Sequence, residues 1–460
     1  MDIPQGYKQT ELGIIPEDWE IVNLGSVAKI NGRIGFRGYT TADLVGVGQG
    51  AYTIGGKHIT NMVLDLHDAE YISWQKYYES PEIMVRKGDI VFAQRGTLGK
   101  SAFIVNDIGP ATINPSLVLI NKIKCDNEYL SYWLQCDKIV EYICSINSQT
   151  SIPMITQNQI EHIPVVLSRI KAEQQAIAEA LGDIDGLIAT LDKKIAKKRL
   201  IKQGAMSQLL TGKKRLPGFS DPWVEKKLGE IGYTYSGLTG KSKDDFGQGN
   251  AKYITFLNVL ANPILKENLF GSITIRENEQ QNKVQFGDLF FNTSSETPED
   301  VGTCAVLLSY HEELYLNSFC FGYRLTDDNV LGLYLAYYFR SRLGRQLMTS
   351  LAQGATRYNL SKELFNASRI ILPETKDEQI AIATILTDMD KEIDDLEAQR
   401  DKYRLLKSGM MQKLLMGQIR LTKPLTNVVP LVPGDSAVRE IPVDAHIWAG
   451  HIVNRLWQSK

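Results

Sequence analysis

A chain of 460 residues and 51.6 kDa is larger than one hydrophobic core usually organises, and at roughly 150 residues per domain it predicts about three units. Apolar residues at 43% and charged residues at 23% are values of a soluble globular protein, which excludes a disordered or fibrous chain. A net charge of −2 argues against a free-standing nucleic-acid-binding protein, because such domains usually carry a basic excess.

The opening Met1-Asp2-Ile3-Pro4 lacks the basic cluster and apolar stretch of a secretory leader. No apolar run approaches membrane-spanning length, so the sequence predicts a cytoplasmic protein. The cysteines Cys125, Cys136, Cys144, Cys304 and Cys320 are odd in number and lack CxxC spacing. Reduced, mostly buried thiols are expected, rather than a disulfide framework or a thiolate metal site.

Residues 1–168 read as a first α+β domain. Short β-like runs such as Asp89-Ile90-Val91-Phe92-Ala93 are punctuated by Gly and Asn, and a helical patch follows from Tyr129 to Ile143. Gly96-Thr97-Leu98-Gly99-Lys100-Ser101 resembles a phosphate loop but is too short for GxxxxGK[ST]. A turn whose lysine meets a DNA phosphate fits that spacing better. Gly46-Val47-Gly48-Gln49-Gly50 runs into a strand-like stretch instead of the helix a dinucleotide loop requires, and reads as a turn. Asn114-Pro115-Ser116-Leu117 lacks the second proline of the amino-methyltransferase tetrapeptide, and no catalytic role is expected of it.

Residues 169–216 read as a long helix. Ile177, Leu181, Ile184, Ile188, Leu191 and Ile195 alternate four and three apart, a heptad seam; a plain amphipathic surface helix is the simpler alternative. From Lys193 to Arg215 there is no acid, and the bases are Lys193, Lys194, Lys197, Lys198, Arg199, Lys202, Lys213, Lys214 and Arg215.

Residues 217–373 read as a second α+β domain, with Asp288-Leu289-Phe290-Phe291 as a strand and a helical patch from Leu331 to Leu351. Gly237-Leu238-Thr239-Gly240-Lys241-Ser242 fails the phosphate-loop spacing in the same way, and Asn317-Ser318-Phe319 stands where the first domain has Asn-Pro-Ser.

Residues 374–421 repeat the first helix. Glu173-Gln174 recurs as Glu378-Gln379, Arg199-Leu200 as Arg404-Leu405, and Leu209-Leu210-Thr211-Gly212 as Leu414-Leu415-Met416-Gly417, all displaced by 205 positions. The seam recurs as Ile382, Leu386, Met389, Ile393 and Leu396, with Arg400 replacing the last isoleucine, where looser packing is expected. Asp388, Asp390, Glu392, Asp394, Asp395 and Glu397 make this helix acidic where the first is basic, so an antiparallel pair sets opposite charges together. Asp183 and Asp185, like Asp388 and Asp390, lie two apart and point about 200° apart on a helix, which excludes a shared metal or proton site and predicts solvated faces. Ile177 to Leu210 spans roughly 50 Å at 1.5 Å per residue, somewhat more than one turn of DNA. The tail 422–460 has no counterpart in the first half. Its Ala445, Trp448, Ile452 and Leu456 are spaced for a short docking helix, with a loosely attached end as the alternative.

With these residues in view, the chain resembles the specificity subunits of type I restriction–modification enzymes over residues 1 to about 421. The resemblance rests on the paired helix endings KQGAMSQLLTGKKRL (202–216) and KSGMMQKLLMGQIRL (407–421), the duplication, the openings PEDWEIVNLG and SDPWVEKKLG, and FNTSSETPEDVG (291–302) and GATRYNLS (354–361). It implies two target-recognition domains held apart by two long antiparallel coiled-coil helices in a pseudo-twofold repeat, each domain reading one part of a bipartite, asymmetric DNA site. It also implies two methylation subunits and a restriction subunit as partners, which would carry S-adenosylmethionine, ATP and Mg, leaving this chain without cofactor, metal or catalytic residue. The residues then expected near DNA are Lys57, Arg95, Thr97, Lys100, Gln149 and Ser151 in the first domain. In the second they are Lys241, Lys243, Thr293, Ser294, Glu296, Thr356, Arg357 and Tyr358. Arg and Lys suit guanine edges and phosphates, with Thr, Ser and Gln as weaker readers. The rival readings are a diverged two-headed methyltransferase or nuclease, and a scaffold that binds only proteins.

Overall fold

The computed structural model describes residues 3–60, 62–147 and 153–421. Gln149, Ser151 and the tail 422–460 with its expected docking helix lie outside the described residues. The described residues form two compact units, one from those up to 182 together with 409–421, the other from 183–408.

In the first unit the run Ile90–Ala93 is buried at every position, as a strand covered on both faces must be. It lies inside an antiparallel sheet ordered Ser101–Phe103, Ile90–Ala93, Leu117–Asn121, Lys29–Gly32. A second sheet sets Ala111–Ile113 parallel to Gly50–Ile54, which pairs in turn with Glu70–Ser73. The opening strand Trp19–Asn23 closes on Pro164–Ser168, next to the start of the long helix Lys171–Leu209.

The second unit repeats this topology despite its different sequence. Its main sheet runs Cys304–Val306, Leu289–Asn292, Cys320–Leu325, Gly232–Ser236, the same order element for element. Leu314–Leu316 lies parallel to Phe246–Ile254, which pairs with Phe270–Ile273. Trp223–Lys227 closes on Arg369–Pro373 before the helix Lys376–Leu414. The α+β reading holds for both domains, and at 39 residues each helix is about 58 Å long, a length that suits a coiled-coil linker.

Within the second unit the two helices run antiparallel, and charge sets the match. Lys198 meets Glu392 at 2.6 Å, Arg199 meets Glu397 at 2.5 Å, and Lys202 pairs with Asp390. From the other side Asp185 meets Lys407 at 2.7 Å, and Asp192 meets Arg400 at 3.4 Å and Arg404 at 3.5 Å. Residue numbers rise on one helix as they fall on the other. Two expectations change here. Asp185 and Asp390 are not solvated face residues but face the partner helix, where Asp390 also accepts from the Tyr337 hydroxyl at 2.8 Å. Arg400 does not loosen the seam, because it reaches Asp192 in place of an apolar contact.

The heptad seam is shared between the helix pair and the second domain. Leu191, Ile195, Ile393 and Leu396 form one interhelical cluster with Tyr403, whereas Ile382, Leu386 and Met389 join Tyr334, Tyr337 and Phe365 in the core of the second domain. Ile177, Leu181 and Ile184 are buried, and Ile188 is only half-buried. A single helical stripe thus serves the neighbouring domain near one end, where Tyr334 and Tyr337 of the helix Gly332–Arg340 pack on it, and the other helix in its middle.

The most strictly repeated residues are explained by a buried clamp in each unit. In the first, Glu173 accepts two bonds from Arg420 at 2.7 and 3.0 Å, one from Ser168 Oγ at 2.6 Å and one from Trp19 Nε1 at 3.2 Å. In the second, Glu378 accepts from Arg215 at 2.6 and 2.8 Å, and the guanidinium lies 5.9 Å from the Trp223 ring. The adjacent Gln174 and Gln379 cap backbone, Gln174 reaching the Ser168 carbonyl at 2.7 Å and Gln379 the Pro373 carbonyl at 3.0 Å. Gly212 and Gly417 follow the helix ends at φ +67° and +64°; a Cβ on Gly417 would collide with Pro16 at 2.5 Å and crowd Trp19 at 3.3 Å, while one on Gly212 would only touch Trp223. Only glycine adopts that backbone there without strain.

Removing the cation from such a pair strands a buried carboxylate, so R420A is expected to destabilise the protein by about 3–5 kcal/mol in chemical unfolding; an unchanged midpoint would refute the clamp. Burial alone would raise the Glu173 pKa, but the bonds from Arg420, Ser168 and Trp19 prevail and hold it below the usual carboxylate range. Its contribution is therefore present above about pH 4.3 and is lost as pH falls through the lower folded-state value, an acid limb that R420A should flatten. On the helix pair, K202E should lower the melting temperature and D390K added to it should restore most of the loss. A double variant no more stable than the single one would count against the charge match.

Candidate nucleic-acid interface

In the first domain the chain leaves the central strand Ile90–Ala93 and is held on two sides before it turns back. Gln94 and Arg95 donate their N–H groups to the Ser116 carbonyl at 3.0 and 3.2 Å. Gly96 donates to the Pro153 carbonyl, and Ile155 to the Gln94 carbonyl, both at 3.0 Å. The turn that receives the first pair is itself braced, since Asn114 Oδ1 accepts from the Ser116 N–H at 3.0 Å and from its hydroxyl at 2.5 Å. The tetrapeptide-like Asn-Pro-Ser is thus a brace for the loop beside it.

Arg95, Thr97 and Lys100 are all exposed on this braced loop, with Arg95 Nε 3.1 Å from Met154 Sδ. The phosphate-loop lookalike is a hairpin turn into Ser101–Phe103, closed by Ala93 N–H donating to the Lys100 carbonyl at 2.8 Å. Lys57 adjoins it, because a Cβ on Gly56 would lie 4.0 Å from Thr97 Oγ1. Its charge is already met by Asp68 at 3.2 Å. Beneath it His58 is buried, accepts from the Gly55 N–H at 2.9 Å, and has its pKa pushed down by burial and by Lys57.

The second domain builds the same brace from other residues. Thr293 N–H donates to the Phe319 carbonyl at 2.9 Å, and Leu360 N–H to the Thr293 carbonyl at 2.8 Å. Asn317 Oδ1 accepts from the Phe319 N–H at 2.9 Å, as Asn114 does from Ser116. Ser294 and Ser295 pair with Asn359 and Tyr358, and Ala352–Gln353 completes a three-stranded sheet. Thr293, Ser294, Glu296, Thr356, Arg357 and Tyr358, far apart in sequence, are brought together here. Arg357 and Glu296 are exposed; Glu296 follows Ser295 and Arg357 precedes its partner Tyr358 at the same end of the paired strands.

Two lysines behave differently from the rest. Lys241 is not a surface cation: its side chain is 4% exposed, and its amine is held by the Thr274 carbonyl at 2.7 Å and by Glu279. That ion pair holds the Glu279 carboxyl below its usual range. A group so enclosed secures a turn and cannot meet a phosphate without breaking the pair. Lys243 is exposed on the turn Lys243–Asp245, whose last residue bonds to Ser242 and Arg276 instead of the paired strands.

Sequence reasoning passed over Phe319. It is 58% exposed, yet its backbone is part of the brace. The signal was available in the shared asparagine, since Asn114 and Asn317 each precede a sheet strand in corresponding positions.

The basic run of the first helix is partly engaged within the protein. Lys198, Arg199, Lys202 and Arg215 all meet acids of the second helix, so the local positive surface is smaller than the count of bases suggests. Among the described residues no group of His, Cys, Asp or Glu is disposed to hold a metal, and no helix is long and apolar enough to cross a membrane. The cysteines are unpaired, with Cys144 exposed and the other four buried. Burial pushes the thiols of Cys125 and Cys136 up to about 11, far from the thiolate a nucleophile needs.

With the duplicated geometry established, the comparisons with known proteins agree. The family model described as the type I restriction modification DNA specificity domain matches residues 16–198 and again residues 220–403. A protein of Methanocaldococcus jannaschii, provisionally assigned as the type I restriction enzyme MjaX specificity subunit, is 25% identical over 453 residues, covering 91% of this chain and 97% of that one. The MjaVIII specificity subunit of the same organism is 23% identical over 432 residues, covering 91% and 96%. Among solved structures, the S subunit of a type I restriction-modification system from M. genitalium shares the fold with a TM-score of 0.53 at 14% identity, covering 90% of this chain and 98% of that one. A chain from a structure describing complex assembly and conformational transition of the type I R-M system gives 0.55 at 16% identity, covering 88% and 99%. Two copies of one family domain, together spanning most of the chain, place this protein in the type I restriction–modification DNA specificity family.

Proposed function

We propose that this chain is the non-catalytic DNA-reading subunit of a type I restriction–modification complex. Each domain reads one part of a bipartite, asymmetric site, and the paired helices set the number of unread base pairs between the parts. One observation carries the reading: a braced loop occurs twice in the chain, sharing the two backbone hydrogen bonds of its first residue and the asparagine bond beside it but presenting different exposed side chains. A fixed frame with a variable face is what two readers of different sequences require. An enzyme with two equivalent active sites would instead repeat the side chains.

In the first domain Arg95, Thr97 and Lys100 face DNA, with Lys57 beside them and Gln149 and Ser151 as further contacts. In the second Thr293, Ser294, Glu296, Thr356, Arg357 and Tyr358 do so, with Lys243 as a phosphate contact. Arg357 suits a guanine edge and Glu296 the amine of a cytosine. Two methylation subunits bind the chain and restriction subunits join them. S-adenosylmethionine, ATP and Mg belong to those partners, which also supply the positive charge that a chain of net charge −2 lacks. Residues 1–168 and 217–373 are the readers, 169–216 and 374–421 the spacer, and the complex works in the cytoplasm.

Mapping methylated adenines in a host expressing the complex should yield one two-part motif that disappears when this chain is deleted. A short continuous motif tracking with the chain would refute the reading. R357A should relax the second part of the motif at one position, a discrimination of about 1–3 kcal/mol. K241M, in contrast, should lower the melting temperature and leave the motif intact; the reverse pattern would exchange the roles given to these two residues.

A further inference from the structure

The two braces differ most sharply at one position. Ser116 and Phe319 occupy it in the first and second domains, each with its N–H bound to the preceding asparagine and its carbonyl bound by the loop that leaves the central strand. At Ser116 the side chain turns inward, its hydroxyl 2.5 Å from Asn114 Oδ1. At Phe319 the ring points out and is 58% exposed.

A ring more than half exposed to water gains little for the fold, and nothing about the local backbone demands one here. The segment is nevertheless rigid. Asn317 is buried, with its amide donating to the Ile254 carbonyl at 3.0 Å and its Oδ1 accepting from Phe319 itself. Thr293 N–H fixes the Phe319 carbonyl at 2.9 Å. Phe256 supports the ring edge-on, with centroids 6.4 Å apart and planes at 80°. The exposed ring is therefore held in place before any ligand arrives, and it stands directly beside Thr293 and the strand that carries Ser294.

We propose that Phe319 reads a thymine in the second half-site by packing on its C5-methyl group. The methyl group is the one apolar feature that the major-groove edge of a base pair presents, and an aliphatic or aromatic side chain is the chemistry that recognises it. The inference rests on the DNA-reading function proposed above and goes beyond it by naming the base feature and the residue. Ser116, with no apolar tip, makes no such contact in the first half-site.

The test uses the assembled complex with its methylation subunits and duplexes in which each thymine of the site, on either strand, is replaced in turn by deoxyuridine. That change removes a methyl group and leaves the Watson–Crick pairing intact. With the native chain, uridine at one position of the second half-site should weaken binding about fourfold, the worth of one buried methyl. F319S should abolish that sensitivity and F319L should keep part of it, with the first half-site unaffected in both. If no thymine in the second half-site shows the effect, or if F319S retains it, the proposal fails. Should F319S prove too unstable to assemble, F319A and F319L carry the same comparison, and equal sensitivity in these two would also overturn it. Absence of any sequence-selective binding by the native complex would instead refute the DNA-reading function itself.

Discussion

The buried carboxylate–arginine clamp is the interaction on which the rest of the architecture depends. A glutamate in the first turn of each long helix is withdrawn from water and needs a cation to remain charged there. In the first unit Arg420 supplies it from the far end of the second helix, and in the second unit Arg215 supplies it from the far end of the first. Each helix start is thus closed by the other helix's ending. The residues that recur most strictly between the halves, Glu-Gln at the start and Gly with Arg-Leu at the end, are the ones this closure uses. Their repetition follows from a fold constraint and needs no catalytic explanation.

Between the clamps the helices are held by a different balance. An apolar interhelical cluster forms around Leu191, Ile195, Ile393 and Leu396 with ion pairs on both sides, and Met206 and Leu209 of the first helix share the second domain's core with Ile382 and Leu386 of the second. Individually such surface pairs contribute little, but as a set they select one direction and one register. Several are half-buried, which strengthens them, and Asp390 takes both Lys202 and the Tyr337 hydroxyl, joining the helix pair to the second domain. The basic run of the first helix thereby acquires a structural use.

The domains divide into a fixed part and a free part. Sheet order, parallel pairing and the asparagine brace are the same in both, and the core strands Ile90–Ala93 and Leu289–Asn292 are buried at every position. The side chains that differ, Arg95 against Ser294 and Ser116 against Phe319, lie on segments whose backbones are held by hydrogen bonds or strand pairing. Substitution there changes what is presented without disturbing how it is held, which is the condition for altering recognition while keeping a fold.

The sequence alone determined the duplication, the two long helices, the α+β character of the domains and the antiparallel charge match. These rest on local periodicity, on a repeat at a fixed displacement of 205 residues, and on the charge order along the two helices. It could not show that residues 94–96 pair with 153–155, or that 293–295 pair with 358–360, because such pairings join segments about sixty residues apart. Nor could it separate Lys241, enclosed by Glu279 and the Thr274 carbonyl, from Arg357, which stands free on the surface. Whether a charged or aromatic side chain is used inside the protein or offered outside it depends on which distant groups fold up against it, and only the tertiary structure decides that.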